Sequence, residues 1–349
     1  MMIQRLPFLL IAASFACAAD APPLVAAGSA KAAAAETKPM PAATPPQKVE
    51  PGWTDEDFYL QGEFVGTMRD NPFAMQVICL GKGNFDAVMR PGGLPGGGSK
   101  RQASAPQRVS GKRDGAGAGA SVRFSANGWS AVLKGDEVQL LDFKGPNIGT
   151  LARVRRESPT LGMAPPAGAV VLFDGKDVKA FQKGARMTTD GLLMEGATTV
   201  QEFGDCTLHV EFQLSYMPEQ RGQSRSNSGV YLQGRYEVQI LDSFGLNGEN
   251  NECGGIYTIA KPMVNMCLPP QVWQTYDIDF DAPSFDAAGK KTEEAHITVK
   301  HNGVLIHDGV TVPHATPSAL FPAEAAKGPL HLQNHKNPVR FRNLWIIPK

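Results

Sequence analysis

From residue 54 onward, apolar and polar positions alternate in short runs punctuated by Gly, Asn and Pro. Alternation with a period of two marks strands that bury one face and leave the other polar. The sharpest case is residues 227–242, where Val230, Leu232, Val238 and Ile240 alternate with Tyr231, Gln233, Glu237 and Gln239 around a tight Gly234-Arg235 turn. Glu237 and Gln239 then project from one face, roughly 7 Å apart along the strand. The same rule sets His209, Glu211 and Gln213 opposite Leu208, Val210, Phe212 and Leu214. It sets His331 and Gln333 opposite Leu330 and Leu332, with His335 just beyond, and Arg340 and Arg342 opposite Val339 and Phe341. No long stretch of the C-terminal half carries a 3.6-residue period, and Asn302-Gly303 marks a further hairpin.

These elements group into two bodies. Strand candidates near residues 59–66, 75–80, 84–89, 120–125, 129–134 and 137–143 predict a small all-β accessory module over residues 54–156, without a cluster of His, Asp or Glu. The basic run at residues 100–113 is rich in Gly, Ser and Ala and reads as a solvated loop. Pro159, Pro165 and Pro166 mark a linker over residues 157–168. Residues 169–349 are antiparallel strand candidates in the number that a two-sheet sandwich needs.

Composition adds three constraints. The 349 residues carry 34 Lys and Arg against 34 Asp and Glu, so no charge surplus exists to neutralise phosphates, and nucleic acid is not expected as a partner. Residues 1–19 pass from a short basic start through an apolar run too short to span a bilayer to small residues near Ala16-Cys17-Ala18, a signal-peptide pattern. Lipoprotein anchoring at Cys17 is the alternative. Residues 20–53 are Ala, Pro, Thr and Lys with little to bury, and read as a flexible tether. No transmembrane segment is expected, so the chain is read as exported, periplasmic or extracellular. Cys79, Cys206, Cys253 and Cys267 would remain after cleavage. In an exported protein they permit disulfides, with Cys253 and Cys267 flanking one loop, and they equally permit buried thiols. Without a C-x-x-C, a structural zinc site is not expected.

Four strands therefore carry Glu, Gln, His, Arg or Tyr where a plain wet face would carry Lys, Ser and Thr. We expect these residues to converge on one sheet face and to serve a sugar, whose hydroxyls need fixed donors and acceptors. Asp242 falls opposite Glu237 in strict alternation, and only a bulge after Ile240 would return it to that face.

The motifs Asn227-Ser228-Gly229-Val230-Tyr231, Tyr236-Glu237-Val238-Gln239-Ile240-Leu241-Asp242, Cys253-Gly254-Gly255-Ile256-Tyr257 and Trp273-Gln274-Thr275-Tyr276-Asp277-Ile278 have a familiar look. So do Asn302-Gly303-Val304, the segment from Gly328-Pro329-Leu330 to His335, and the closing run from Pro338 to Ile346. Over roughly residues 168–349 the chain resembles the 3-keto-disaccharide hydrolase domain family. The resemblance implies a concanavalin A-like jelly-roll β-sandwich with a sugar site on its concave sheet, here preceded by the small β module. It also implies cleavage of glycosides already oxidised to a ketone at C3. Such a ketone acidifies the C2 proton, so a base can remove it and the C1 substituent departs by elimination. That chemistry needs a base near C2, a stabiliser for the enolate oxygen and an acid for the leaving group. His335 is the expected base, with Glu237 or Glu211 as its partner. Arg340 is expected to stabilise the enolate or orient a carboxylate, and Asn227, Tyr231, Gln239 and Gln333 to hold hydroxyls. Glu211, Glu237, Asp242 and His335 could instead hold a divalent cation, of unspecified identity, that polarises the ketone.

Two alternatives stay open: a lectin-like protein that binds carbohydrate without chemistry, and an ordinary glycoside hydrolase. Laminarinase-like sandwiches carry Glu-x-Asp-x-x-Glu on one strand, and the similar slots here read Glu237, Gln239 and Asp242. Gln239 cannot act as a carboxylate, which weakens two-carboxylate hydrolysis.

Overall fold

The computed structural model describes residues 54–97 and 106–349, so the stretches expected to be a signal peptide, with Cys17, and a tether lie outside the described residues. The first body is built from β1 (Gly62–Met68), β2 (Asn71–Gly81), β3 (Asn84–Pro91), β4 (Gln107–Asp114), β5 (Ser121–Ala126), β6 (Trp129–Lys134), β7 (Glu137–Asp142) and β8 (Asn147–Val154). Each pairs antiparallel with the next, and β1 pairs with β8 to close a barrel. Closure removes both sheet edges. It also explains two strands that pattern alone does not reveal. The described part of the basic run, read as a solvated loop, is β4, held between β3 and β5 although its residues alternate with few apolar side chains. β8 is likewise recruited by β1 and β7. Phe64, Met75, Val77, Phe85, Phe124, Leu133 and Leu140 fill the barrel. At the closing seam Gly66 is required, because a Cβ there would lie 2.1 Å from the carbonyl oxygen of Thr150.

The second body is the sandwich. Its strands are β9 (Val170–Phe173), β10 (Leu193–Met194), β11 (Ala197–Phe203), β12 (Cys206–Gln213), β13 (Asn227–Leu232), β14 (Tyr236–Leu241), β15 (Trp273–Asp281), β16 (Ser284–Phe285), β17 (Lys291–Glu293), β18 (Ala295–His301), β19 (Val304–Val312), β20 (Gly328–Leu332) and β21 (Arg340–Pro348). A seven-stranded sheet runs β10-β21-β12-β15-β18-β19, with β9 also on β21. The facing sheet has four strands in the order β11-β20-β13-β14. Val210, Phe212, Ile278 and Phe341 from the larger sheet meet Val230, Leu232, Val238, Ile240 and Leu332 from the smaller in one buried cluster. The protein is thus all-β, a sandwich preceded by a small barrel. Among the described residues no helix is long and apolar enough to cross a membrane. The four described cysteines are buried free thiols.

The Pro-rich connection between the bodies is docked along the outer face of the seven-stranded sheet. Ser158 shares a 2.6 Å hydrogen bond with Thr275, Thr160 donates to Asp277 at 2.7 Å, and the Gly162 amide donates to Glu211 at 2.5 Å. Prolines forbid regular pairing there but leave side-chain and single-amide contacts available. Arg225 and Arg108 cross between the bodies, donating to the carbonyls of Cys79 and Gly245.

Candidate active site

Sheet membership divides the expected site in two. Asn227, Tyr231, Glu237 and Gln239 lie on β13 and β14, with Gln333 just past the end of β20, and all five face outward from the four-stranded sheet. Glu211 and Arg340 lie on β12 and β21 of the other sheet, also facing away from the shared core. The two sets are on opposite faces of the sandwich, separated by two sheets that pack about 10 Å apart. The expected convergence of all four strands is therefore corrected. Alternation reports which side of its own strand a residue occupies, not which sheet the strand joins.

On the four-stranded sheet the register builds a small lattice. One row across the strands is Thr198, His331, Tyr231 and Glu237. It is extended by Tyr257, whose amide donates to the Glu237 carbonyl. The next row is Gln333, Gly229 and Gln239, because the Gln333 amide donates to the Gly229 carbonyl and Gly229 pairs with Gln239. Gly229 leaves a gap in the middle of the face, and Glu237 folds over it. A Cβ there would lie 2.1 Å from Glu237 Oε1.

This is not the wet side of a sheet. Tyr231, Glu237, Gln239 and Asn227 are each no more than 2% exposed. The backbone amide of Glu237 donates to Thr316 Oγ1, and the 254–257 segment pairs along β14, so loops close the face at that end. At the β20 end Thr198, His331 and Gln333 are half-buried, and the face opens there. A polar network links the two ends. Gln333 Nε2 donates to Tyr231 Oη at 3.2 Å, and Tyr231 Oη donates to Glu237 Oε2 at 2.7 Å. Asn227 and Gln239 both donate to Gln223 Oε1, at 3.0 and 3.1 Å. The amide oxygens of Asn227, Gln239 and Gln333 are buried without a donor. A buried acceptor left unpaired costs about 1–3 kcal/mol, so three on one face call for an outside donor.

Burial also sets the two titratable groups of the row apart. It pushes the Glu237 carboxyl up to about 8, against the smaller opposing pull of the Tyr231 hydroxyl. It draws His331 down to about 4. At neutral pH the first is mainly a protonated acid and the second a neutral imidazole. His331 Nδ1 shares a 2.8 Å hydrogen bond with Thr198 Oγ1, and when Nδ1–H is the donor, Nε2 carries the lone pair. Burial, and then the neighbouring Glu237, push the Tyr231 hydroxyl well above its ordinary value, so it stays a donor.

The remaining expected residues lie away from this face or make other contacts. Glu211 accepts from Arg342 at 2.7 Å and Asn343 at 2.8 Å, beside His209, which itself bonds Asp277 at 2.6 Å. Burial opposes its charge, yet His209, Asn343, Arg342 and the Gly162 amide hold Glu211 at about 2. It is a structural anion that clamps the connecting segment. Arg340 is ion-paired with Glu195 at 2.8 Å. Asp242 pairs with Arg225 at 2.6 Å, because β13 and β14 stay in unbroken register through Leu241 and no bulge turns it outward. His335 is exposed in the turn beyond β20, with no hydrogen bond to Glu237 or Glu211, its expected partners. Glu211, Glu237, Asp242 and His335 therefore do not fit around one cation. Among the described residues no three His, Cys, Asp or Glu side chains do. Pattern reading set His331 on the polar side of its strand but passed over it as a site residue. Its place beside Tyr231 depends on pairing that sequence does not show.

The sequence profile of the 3-keto-alpha-glucoside-1,2-lyase-like domain matches residues 168–347, the whole sandwich. The chain belongs to that family. Membership assigns it a carbohydrate-active, hydrolase-like role. A crystal structure of a candidate glycosyl hydrolase from Parabacteroides distasonis is 34% identical over 53% of this chain and 85% of that one, with a TM-score of 0.48. Two more candidate glycosyl hydrolases from that organism are 22% and 17% identical, cover 52% of this chain and 99% and 94% of their own, and have TM-scores of 0.37. No curated protein matches the chain.

Proposed function

We propose that the protein cleaves 3-keto-glycosides by elimination across C1 and C2, followed by hydration. The observation that carries this reading is the pairing of a neutral His331 with a protonated Glu237 in one row of a buried face. The two flank Tyr231, two strand spacings or roughly 9–10 Å apart at the backbone, and because the Tyr231 ring stands between them, 5.8 Å from the His331 ring, the sugar would lie across this row.

His331 Nε2 takes the C2 proton, and the electrons of that bond form the enolate with the C3 oxygen. In this reading the Gln333 side-chain amide, which donates to Tyr231 through Nε2, turns a donor to that oxygen. The enolate collapses, the C1–O bond breaks, and Glu237 protonates the departing oxygen. The resulting Glu237 carboxylate keeps the Tyr231 hydroxyl as a donor. Water then adds at C1 and returns one proton to Glu237, while His331 returns the other to C2. The net change is hydrolysis, with both residues restored. The unpaired oxygens of Asn227, Gln239 and Gln333 accept from sugar hydroxyls. Two-carboxylate hydrolysis is disfavoured because the second slot is Gln239 and Glu211 lies on the other sheet.

The test incubates purified protein with a glucoside and with its 3-keto derivative. Cleavage of the keto form alone, through a conjugated enone intermediate seen in the ultraviolet, supports the proposal. Cleavage of the unoxidised glucoside refutes it in favour of ordinary hydrolysis, and binding without turnover of either refutes it in favour of a lectin-like role. Export, as expected from residues 1–19, would place this activity outside the cytoplasm, and signal-sequence cleavage in a secreting host would check it.

A further inference from the structure

A second concave site lies on the far side of the sandwich from Glu237, where the barrel meets the seven-stranded sheet. Its cavity of about 180 Å³ is formed by residues 58–63 at the entry to the barrel, residues 153–157 at its exit, and residues 268–273 leading into β15. A cavity of about 150 Å³ holds one benzene ring, so this one is of the size to seat a single ring.

The less exposed charges in its wall are already paired, while Arg155 and Glu157, one of each sign, stand exposed at its rim. Both Glu63 oxygens accept from Arg156, and one also accepts from Gln76. The third Arg156 donor goes to the Pro95 carbonyl. Arg153 is used by Asp136 and by the carbonyls of Gln61 and Tyr59. The two exposed charges are opposite in sign and leave no surplus for an ion, so the wall suits a neutral ligand. Among the buried polar groups of the wall, the Gln61 amide is unspent. The Gln61 side chain is 5% exposed, yet both its amide nitrogen and its amide oxygen lack a partner. Burying both ends of an amide unpaired is costly, and the cost falls away if a ligand offers a donor beside an acceptor.

The rest of the wall is aromatic and aliphatic. Trp273 is fixed by the Arg342 guanidinium, 4.1 Å from its ring centre, and Arg342 is held in turn by Glu211. Tyr59, at the mouth, is 63% exposed, an unusual state for so large an aromatic ring. A flat apolar surface next to one donor and one acceptor matches the C–H face and neighbouring hydroxyls of a pyranose.

We propose that this junction cavity is a second carbohydrate-binding site, which seats one neutral pyranose ring between Tyr59 and Trp273 with adjacent hydroxyls on the Gln61 amide. The choice of a sugar over another neutral ligand draws on the family's carbohydrate chemistry, but the site needs no reaction at Glu237. It would anchor a glycan from the face opposite the proposed reaction, which gives the barrel a role in holding substrate.

The test titrates the full chain with maltose and with cellobiose, neither of which is a keto-sugar, by calorimetry and by protein-observed NMR. Wild type, Gln61→Leu, Tyr59→Ala and, on the other face, Gln239→Leu are compared. Gln61→Leu removes an unpaired amide and should hold or raise the melting temperature, so misfolding cannot account for lost binding. Expected, from the NMR signals of the junction residues, is about tenfold weaker binding in Gln61→Leu, the loss of one or two hydrogen bonds, a weaker loss in Tyr59→Ala, and no loss at those signals in Gln239→Leu, whatever that variant does to sugar on its own face. Binding lost only in Gln239→Leu would confine the sugar to the proposed active face and overturn the inference. Absence of millimolar binding in wild type, or binding insensitive to Gln61 and Tyr59 alike, would overturn it too. None of these outcomes depends on turnover of a keto-glycoside.

Discussion

Replacing Glu237 with Gln tests the central electrostatic claim without relying on any substrate. Gln keeps the shape over Gly229 and an oxygen for the Tyr231 hydroxyl, but it cannot ionise. The wild-type carboxyl has a folded pKa of about 8 against an ordinary 4.5, because burial penalises its charge. A raised folded pKa makes the group's contribution to stability fully present below about 4.5, and it is lost as pH rises through about 8. That gap, at about 1.4 kcal/mol for each factor of ten, is on the order of 4–5 kcal/mol. Urea unfolding of both proteins at about pH 5, 7 and 9 measures it, since other titrating groups cancel in the difference. The two should be nearly equal at the acid end, wild type should already be well behind at pH 7, and the gap should level off above about 8. Parallel stability curves, or a wild type that gains on the variant as pH rises, would show that the carboxyl is already ionised and cannot serve as the acid.

Further outcomes follow from the same contacts. His331→Asn should lower kcat for a 3-keto-glycoside by about 10²–10⁴ and leave the melting temperature within a few degrees, as steady-state kinetics and thermal unfolding would show. Asp242→Asn should destabilise the fold by about 3–5 kcal/mol, because Arg225 would keep its buried charge without a partner, and adding divalent cations should not restore it in a denaturant titration. Glu211→Gln should loosen the connecting segment and speed proteolytic cleavage between residues 156 and 168. In wild type the depressed Glu211 pKa gives the converse pH dependence, with stability present above about 4.5 and lost as pH falls towards about 2, readable as protease sensitivity in acid.

How much of this could be read from the residues alone differs from place to place. Glu237, Gln239, Tyr231 and Asn227 were identifiable as one polar face because β13 and β14 form a single hairpin, whose register a short turn sets. Gln333 was recoverable because it follows an alternating strand. Glu211 and Arg340 obey the same alternation equally well, yet belong to the other sheet. Asp242 could go either way on pattern, and only the unbroken register decided it. His335 drew attention as an unattached histidine near a strand end. His331 was the less visible of the two, although burial beside Thr198 and Tyr231 makes it the better candidate for proton transfer.

The sequence by itself determined the class of the protein, the boundaries of many of its strands, and the side of its own strand on which each residue stands. All of these follow from the two-residue period of an extended chain, which is local. Only the tertiary structure decided which strands share a sheet, that the first body closes as a barrel, and that the polar face near Glu237 is buried. Pairing is made by backbone groups that every residue carries, so a strand's partners are not written in its own side chains. The shifts at Glu237 and His331, and the unpaired amides proposed to hold sugar, arise from burial by distant segments. For that reason the site's chemistry became readable only once the chain was folded.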